Sequence, residues 1–133
     1  MANALKGKST VFLVFIAPND EATPVLRSFF ENHYEFEREK SHENGLLKLV
    51  QYHVDESPEC KEDNVAPAPF FDGKFPNITG RTVFVLTEIY ENENGLLHHF
   101  IESNEVMPEF NEMHSTFKIA LQCLNQMKVI QSL

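Results

Sequence analysis

Tryptophan is absent from the chain and cysteine is scarce, and the cysteine shortage excludes two kinds of site. The only cysteines are Cys60 and Cys123, which are far apart and form no Cys-x-x-Cys pair. Neither a disulfide framework nor a cysteine-based zinc site is indicated, and a reducing, cytoplasmic location is expected. Long apolar runs are also missing, which predicts no membrane-spanning helix. The short run at residues 11–17 leads into a turn and does not resemble a secretory signal.

Basic side chains are few as well. The chain has 11 lysines and arginines against 20 acidic residues, for a formal net charge of −9, and the basic residues form no stripe. Because such a surface repels phosphate groups, nucleic-acid and anionic-membrane partners are not expected. The acid excess is typical of a surface that keeps a protein soluble.

Apolar residues, in contrast, are plentiful. They make up 42% of the 133 residues and include 12 phenylalanines. A chain of this length can bury a core without disulfide or metal support. We expect an N-terminal tail at residues 1–8 and a single domain at residues 9–133.

The first half of the sequence predicts a strand, a helix and a second strand. Residues 10–16 are β-branched or aromatic almost throughout, which favours a buried strand. A helix is predicted from about Asp20 to residues 44–45, and residues 46–55 alternate as a strand with Gln51 and His53 on one face. The stripe that would bury the helix comprises Val25, Leu26, Phe29, Phe30 and His33.

The middle of the chain predicts a long loop followed by a third strand. Residues 57–80 contain four prolines and two glycines, too many for a regular element. Loops of this length in compact domains are often functional. The third strand is predicted at residues 82–90.

The last third predicts two helices and a closing strand. Asn92 or Asn94 would cap the first of these helices, and Pro108 would open the second, whose apolar spacing continues to Leu124. Residues 127–133 are expected to form the closing strand, with continued helix as the alternative.

The predicted order β-α-β-β-α-(α)-β indicates an α+β fold with a ferredoxin-like sheet and its helices on one face. The strands are apolar on both faces, so the face opposite the helices also needs a cover. A second copy of the chain is the simplest cover, which predicts a homodimer.

Residues 88–103, EIYENENGLLHHFIES, resemble the strand-to-helix signature of the dimeric α+β barrel superfamily, especially its antibiotic-biosynthesis-monooxygenase-like members. In that family an acidic and aromatic strand end precedes a helix that carries a histidine, as His99 would here. The resemblance implies a dimeric barrel that binds a small hydrophobic or aromatic molecule. It also implies monooxygenase-like chemistry without a cofactor, and it makes His99 a substrate-binding candidate.

The resemblance does not extend to the haem-degrading members of that superfamily. Those proteins share a strand asparagine and a tryptophan, whereas residues 10–16 contain no asparagine and the chain has no tryptophan. His114 is a loose match to their haem-ligating histidine. Haem degradation is therefore not expected.

The adjacent histidines His98 and His99 do not predict a metal site. Neighbours on a helix point about 100° apart, so one ion cannot readily bind both. A buried stripe centred on residues 96–97 and 100–101 would leave the two rings on opposite flanks of the polar face. We therefore expect no metal and no other cofactor.

A small-molecule pocket is expected on the sheet face away from the helices, inside the dimer. An apolar wall with a few convergent polar groups is typical of such a site. The alternative is that the polar residues form an ordinary rim at the strand ends. The expected lining comprises Gln51, His53, Phe84, Leu86, Glu88 and Tyr90.

Three of these residues could carry monooxygenase-like catalysis. His53 would be the base that deprotonates a phenol or enol, since an ordinary histidine has a pKa near 6.5. Tyr90 would donate a hydrogen bond to the oxyanion, and Glu88 would orient His53. The hypothesis requires His53 and Tyr90 to lie on the same sheet face.

Two other functions remain open at this point. The chain could be a non-catalytic small-ligand-binding or regulatory homodimer that uses the aromatic residues of the 57–80 loop. It could also be a structural subunit whose barrel is filled by phenylalanine side chains.

Overall fold

The structure is a computed structural model that describes residues 4–40, 48–61 and 72–133. Its regular elements follow the order β-α-β-β-α-α-β, with a short 3-10 helix, Ser103–Val106, between the last two helices. The strands are β1 (Ser9–Ala17), β2 (Leu49–Cys60), β3 (Ile78–Tyr90) and β4 (Ala120–Lys128), and the α-helices are α1 (Ala22–Lys40), α2 (Glu93–Glu102) and α3 (Met107–Phe117).

The four strands form one open antiparallel sheet in the order β2-β3-β1-β4. The central pair places Phe15 opposite Phe84 and Leu13 opposite Leu86. This α+β architecture is compatible with the expected ferredoxin-like fold.

The helices cover one face of the sheet, and the core lies between them. Phe15 on β1 is fully buried, and its ring contacts Phe29 and Phe30 of α1 and Phe110 of α3. The ring of Phe30 also contacts Phe84 of β3. Side chains alternate between the two faces along a strand. The odd-numbered residues of β1 and the even-numbered residues of β3 therefore face the helices.

The expected stripe of α1 is confirmed at its buried positions. Leu26, Phe29 and Phe30 lie in the core, and Val25 packs against it. Asn19 caps the helix by accepting hydrogen bonds from the amides of Glu21 and Ala22. The predicted C-terminal end of this helix falls in residues 41–47, outside the described residues.

The predicted loop at residues 57–80 is shorter than expected, because strands occupy both of its ends. β2 continues to Cys60 and β3 begins at Ile78, where the two residues pair, and the amide of Lys61 donates to the carbonyl of Asn77. Pro58 is tolerated because β2 is an edge strand. The centre of the predicted loop, residues 62–71, lies outside the residues that the structure describes.

The prediction that the last helix continues to Leu124 is wrong. Lys118 adopts a left-handed conformation, φ 56° and ψ 33°, which ends α3 at Phe117. The chain then turns back along β1 as β4, seven residues before the expected start of the closing strand. Apolar residues continue at spacings of three and four across this boundary, so the sequence pattern does not indicate where the helix ends.

The described helices include none that is both long and apolar enough to cross a membrane.

Candidate functional site

A buried polar cluster lies between the sheet and the helices. It contains two histidines and two glutamates from three elements, and we call it the His/Glu cluster: His33 and Glu37 on α1, Glu88 on β3 and His99 on α2. Three of these residues are at most 5% exposed, and His33 is partly buried. Charged residues are seldom buried this deeply without partners or a metal ion.

Local structure explains why these four residues meet. Glu37 follows His33 by four positions, so both lie on one face of α1. Glu88 shares the helix face of β3 with Leu86 and Tyr90, because side chains alternate along the strand. On α2, His99 lies one helical turn beyond the buried Gly95 and Leu96.

The distances within the cluster are short. Glu37 Oε1 lies 2.7 Å from His99 Nδ1 and 3.5 Å from His33 Nε2. Glu88 Oε1 lies 3.7 Å from His99 Nε2. One ligand atom from each of the four residues can be chosen so that all of these atoms lie within 4.8 Å of one another.

A shell of hydroxyl groups surrounds the cluster. Tyr52 Oη lies 3.1 Å from His33 Nδ1, and Ser103 Oγ lies 3.3 Å from His99 Nε2 while donating to the His99 carbonyl. Tyr90 Oη donates to Glu88 Oε2 at 3.1 Å. Tyr52 engages the His33 nitrogen opposite the one that approaches Glu37, and Tyr90 engages the Glu88 oxygen opposite the one that lacks a hydrogen bond.

Two inward-facing atoms have no hydrogen-bond partner among the described residues. They are Glu88 Oε1 and His99 Nδ1. The 2.7 Å contact of His99 Nδ1 with Glu37 is an ion-pair approach that lacks the alignment of a hydrogen bond. Leaving such a buried polar atom unsatisfied costs about 1–3 kcal/mol, which a bound cation would offset.

The two carboxyl groups have opposite protonation preferences. Burial raises the pKa of Glu37, but contacts with His99 and Glu88 and the charges of His99 and His33 outweigh it, and the pKa falls to about 2. Burial raises the pKa of Glu88 well above the ordinary range, and the charge of Glu37 adds to that rise. Without a metal ion, the environment therefore favours the ionised form of Glu37 and the neutral form of Glu88.

His33 and the two tyrosines are neutral in this environment. Burial lowers the pKa of His33 to about 4, although the charge of Glu37 opposes the change. Burial also raises the pKa of Tyr52 and Tyr90, and the charges of Glu88 and Glu37 raise it further. Both tyrosines therefore remain protonated hydrogen-bond donors.

A small cavity of about 160 Å³ lies between α1 and β2. Glu37 lies in its wall, together with Tyr34 and Tyr52, so the cavity borders the cluster on this side. The remaining lining residues are Arg38, Leu49, Val50 and Gln51.

The structure separates the residues of the expected catalytic group. Tyr52 pairs with Glu88, and His53 pairs with Thr87, so His53 and Gln51 lie on the open face, away from the helices. Glu88 and Tyr90 lie on the helix face, and Glu88 does not orient His53. The exposed His53 instead contacts Asp55, 2.7 Å from Nδ1 to Oδ2. The expected His53–Glu88–Tyr90 constellation is therefore not formed within the chain.

The apolar half of the expected pocket is also displaced. Phe84 and Leu86 belong to the core under the helices and do not line the open sheet face. Of the expected site residues, the structure brings together Glu88, Tyr90 and His99, with the rings of Tyr90 and His99 5.7 Å apart. This grouping lies on the side of the sheet opposite to the one expected.

The orientation predicted for α2 is wrong, and that error hid the importance of His99. Leu97 and Ile101 are 60% and 67% exposed, whereas Leu96 and His99 are buried. A helix with apolar residues on several faces has more than one possible buried stripe. The chosen stripe placed His99 at the boundary instead of the centre.

His33 and Glu37 were not expected as site residues, and the sequence predicted no metal ligands. One signal was present: His33 continues the apolar stripe of α1, and Glu37 follows it by four residues. A histidine and a glutamate on the buried side of a helix indicate a polar site inside the core.

Comparisons with known proteins gave no match: no family model, no curated protein and no solved structure is similar to this chain, and the resemblance seen in residues 88–103 has no support from them.

Proposed function

We propose that the protein binds one divalent transition-metal ion in the His/Glu cluster. The observation that carries the proposal is the convergence of four potential ligands on one buried point, where Glu88 Oε1 and His99 Nδ1 have no hydrogen-bond partner among the described residues. A network made only for stability would be expected to satisfy these atoms.

The donor set narrows the choice of ion. Two imidazole nitrogens and two carboxylate oxygens suit borderline first-row ions such as Zn²⁺, Co²⁺, Fe²⁺ and Mn²⁺. Bonds of about 2.0–2.2 Å in a tetrahedron place ligand atoms roughly 3.4 Å apart. The contacts of Glu37 with the proposed ligand nitrogens of His99 and His33, 2.7 and 3.5 Å, bracket that value, so small side-chain movements would complete the site.

The surrounding hydroxyl groups suit this assignment. If His33 binds through Nε2 and His99 through Nδ1, their other nitrogens carry protons and donate to Tyr52 and Ser103. Such partners fix the ring tautomers and strengthen a metal site. Glu88 would have to release its proton for the ion to bind.

Titration of metal-free protein with Co²⁺ tests the proposal, because adjacent histidines provide a matched pair of variants. Wild type should bind one equivalent and develop visible absorption bands typical of Co²⁺ with nitrogen and oxygen ligands. His99→Ala should weaken binding at least about 100-fold, since it removes a direct ligand. His98→Ala changes an exposed neighbour and should remain within about twofold of wild type.

Circular dichroism must show that His99→Ala retains the fold. Glu88→Gln is a second ligand variant, in which the new side chain has nearly the same shape as the one it replaces. Binding that is equally strong in wild type, His99→Ala and Glu88→Gln would contradict the proposal. So would a wild-type protein that binds none of Co²⁺, Zn²⁺ and Mn²⁺.

We also propose the finer arrangement expected from the sequence: a ferredoxin-like domain whose open sheet face is covered by a second copy in a dimeric α+β barrel. The support is the character of that face. Val14 pairs with Val85 and Ile16 pairs with Val83 across its centre, and these side chains are only partly buried. Contiguous apolar surface of this kind is typical of an interface, and a twofold axis would pair it with itself.

The oxygenase hypothesis remains a prediction with no base assigned, because His53 lies on the face opposite Glu88 and Tyr90. Metal binding is the function that the geometry favours.

A further inference from the structure

A second and larger cavity, of about 530 Å³, is lined by residues of α1 and β2 and by Phe84 of β3. We call it the α1/β2 groove. Its volume lies in the range of small-molecule sites. Its lining residues are Arg27, Phe30, Glu31, Tyr34, Glu35, Tyr52, Val54, Glu56 and Phe84.

The groove is lined by four aromatic side chains. Phe30 and Phe84, which we take as its floor, are at most 7% exposed, and their rings contact each other at 5.6 Å. Tyr34 and Tyr52 also line the groove, with ring centroids 6.1 Å apart. This aromatic lining suits an aromatic ligand.

The rim of the groove is acidic. It carries Glu31, Glu35 and Glu56 against a single basic residue, Arg27. Both Arg27 and its partner Glu56 are already engaged, through two contacts of 2.8 Å.

The two remaining rim glutamates differ in their partners. Glu35 is held by Arg38 at 2.7 Å. Glu31 has no hydrogen bond or ion pair with any residue that the structure describes. Its exposed carboxylate is therefore available to a ligand.

We infer that the α1/β2 groove binds a small aromatic amine, with its ring on the Phe30–Phe84 floor and its ammonium group beside Glu31. Charge complementarity selects the cation: Arg27, Glu56 and Glu35 are already in ion pairs, so the carboxylate of Glu31 is the rim charge that a ligand would meet. This site goes beyond the metal centre and is distinct from it, although Tyr52 borders both.

Three probes of equal shape separate charge from size: 2-naphthylmethylamine, 2-naphthalenemethanol and 2-naphthoate. Each is titrated into ¹⁵N-labelled, metal-free protein and followed by amide chemical shifts. The amine should bind about fivefold more tightly than the alcohol, the effect of one partly exposed charge pair. The carboxylate should bind most weakly, and the shifted amides should lie on α1 and β2.

Two substitutions assign the site. Glu31→Gln should abolish the preference for the amine and leave the affinity of the alcohol within about twofold. Val54→Phe should reduce the binding of both by narrowing the groove. Glu39→Gln is the matched control, because it removes an exposed glutamate of the same helix that does not line the groove.

Equal binding of amine and alcohol to wild type would overturn the inference, as would a preference that survives Glu31→Gln. Shifts confined to other elements, or no binding by any probe, would also overturn it. The Glu31→Gln result tests the inference even if Val54→Phe does not fold. The probe titrations use metal-free protein, so they are independent of the Co²⁺ titration. Loss of the amine site would not contradict metal binding, and failure to bind Co²⁺ would not contradict the amine site.

Discussion

Glu37 and Glu88 are the same residue type in the same buried cluster, yet their carboxyl groups differ in charge. Glu37 is close to both histidines, which stabilise its ionised form. Glu88 is fully buried, and the negative charge of Glu37 would repel a second carboxylate, so the neutral form of Glu88 is favoured. Without a metal ion the cluster thus limits the number of buried charges, and a divalent cation would let both carboxylates ionise.

The sequence pointed to only half of this cluster. Glu88 and Tyr90 were expected to line a pocket on the third strand, and His99 was a candidate because of the resemblance in residues 88–103. His33 was assigned to the core, and Glu37 was one of several acidic residues near the end of a helix. Composition cannot show which acidic residue of such a segment is buried, since that depends on how α1 lies on the sheet.

His33 should make the stability of the metal-free protein depend on pH. Its pKa is about 4 in the folded state and near 6.5 when unfolded, so the unfolded state binds more protons between these values. Stability contributed by neutral His33 is present above pH 6.5 and is lost as pH falls toward 4. The free energy of unfolding of wild type, minus that of His33→Gln, should fall by about 3 kcal/mol across this window.

Urea denaturation at a series of pH values, with a chelator present, measures this difference. Subtracting the variant removes the opposite contribution of Glu88, whose raised pKa favours the folded state as pH falls. His98→Gln, at an exposed position, should follow wild type. A constant difference between wild type and His33→Gln would show that His33 is not buried in its neutral form.

At the scale of elements, helix and strand types were more predictable than the direction in which each element faces. The buried stripe of α1 was correctly expected, because its apolar residues define one side. α2 has apolar residues on several sides, and only the packing of Leu96 against Val11, Leu49 and Tyr90 selects the buried one. Periodicity in a helix of 10 residues cannot make that selection.

The boundary between α3 and β4 depends on a backbone conformation that the sequence does not indicate. Glycine usually occupies the left-handed position at a helix end, but Lys118 occupies it here. A residue with a β-carbon is strained in that conformation by about 1–2 kcal/mol. The helix nevertheless ends there, because the following residues gain the β1–β4 pairing.

Lys118→Gly should therefore stabilise the protein. The relief of strain exceeds the extra chain entropy of glycine in the unfolded state, so the free energy of unfolding should rise by about 0.5–1 kcal/mol. A shift in the urea midpoint measures the effect. Lys118→Ala keeps the β-carbon and should give no such gain, and an equal gain in both variants would assign the effect to loss of the lysine charge.

At the scale of the whole molecule, the α+β class was predictable, but the register of β2 was not. The sequence placed Leu49, Gln51 and His53 on one face by simple alternation. A shift in the β2–β3 register between Leu49 and Gln51 puts Leu49 on the helix face with Tyr52 and leaves Gln51 on the open face. One such irregularity changes the neighbours of every following side chain, which is why the expected catalytic group is divided.

The open face that receives Gln51 and His53 is the surface on which the proposed dimer can be tested. Val14 lies at its centre on β1, opposite Val85. Val14→Lys would place a solvated ammonium on the monomer surface but a desolvated charge at the centre of the dimer, which costs several kcal/mol. Light scattering coupled to size exclusion should show a dimer for wild type and a monomer for this variant.

Leu97→Lys supplies the matched control for that measurement. Leu97 is also apolar and 60% exposed, but it lies on α2, on the other side of the sheet. If apolar exposure alone drove self-association, both variants would weaken it. Because only the sheet face is proposed to pair, Leu97→Lys should remain dimeric. A wild-type protein that stays monomeric at every concentration would refute the barrel, whereas metal binding by the His/Glu cluster, which lies within one chain, would still stand.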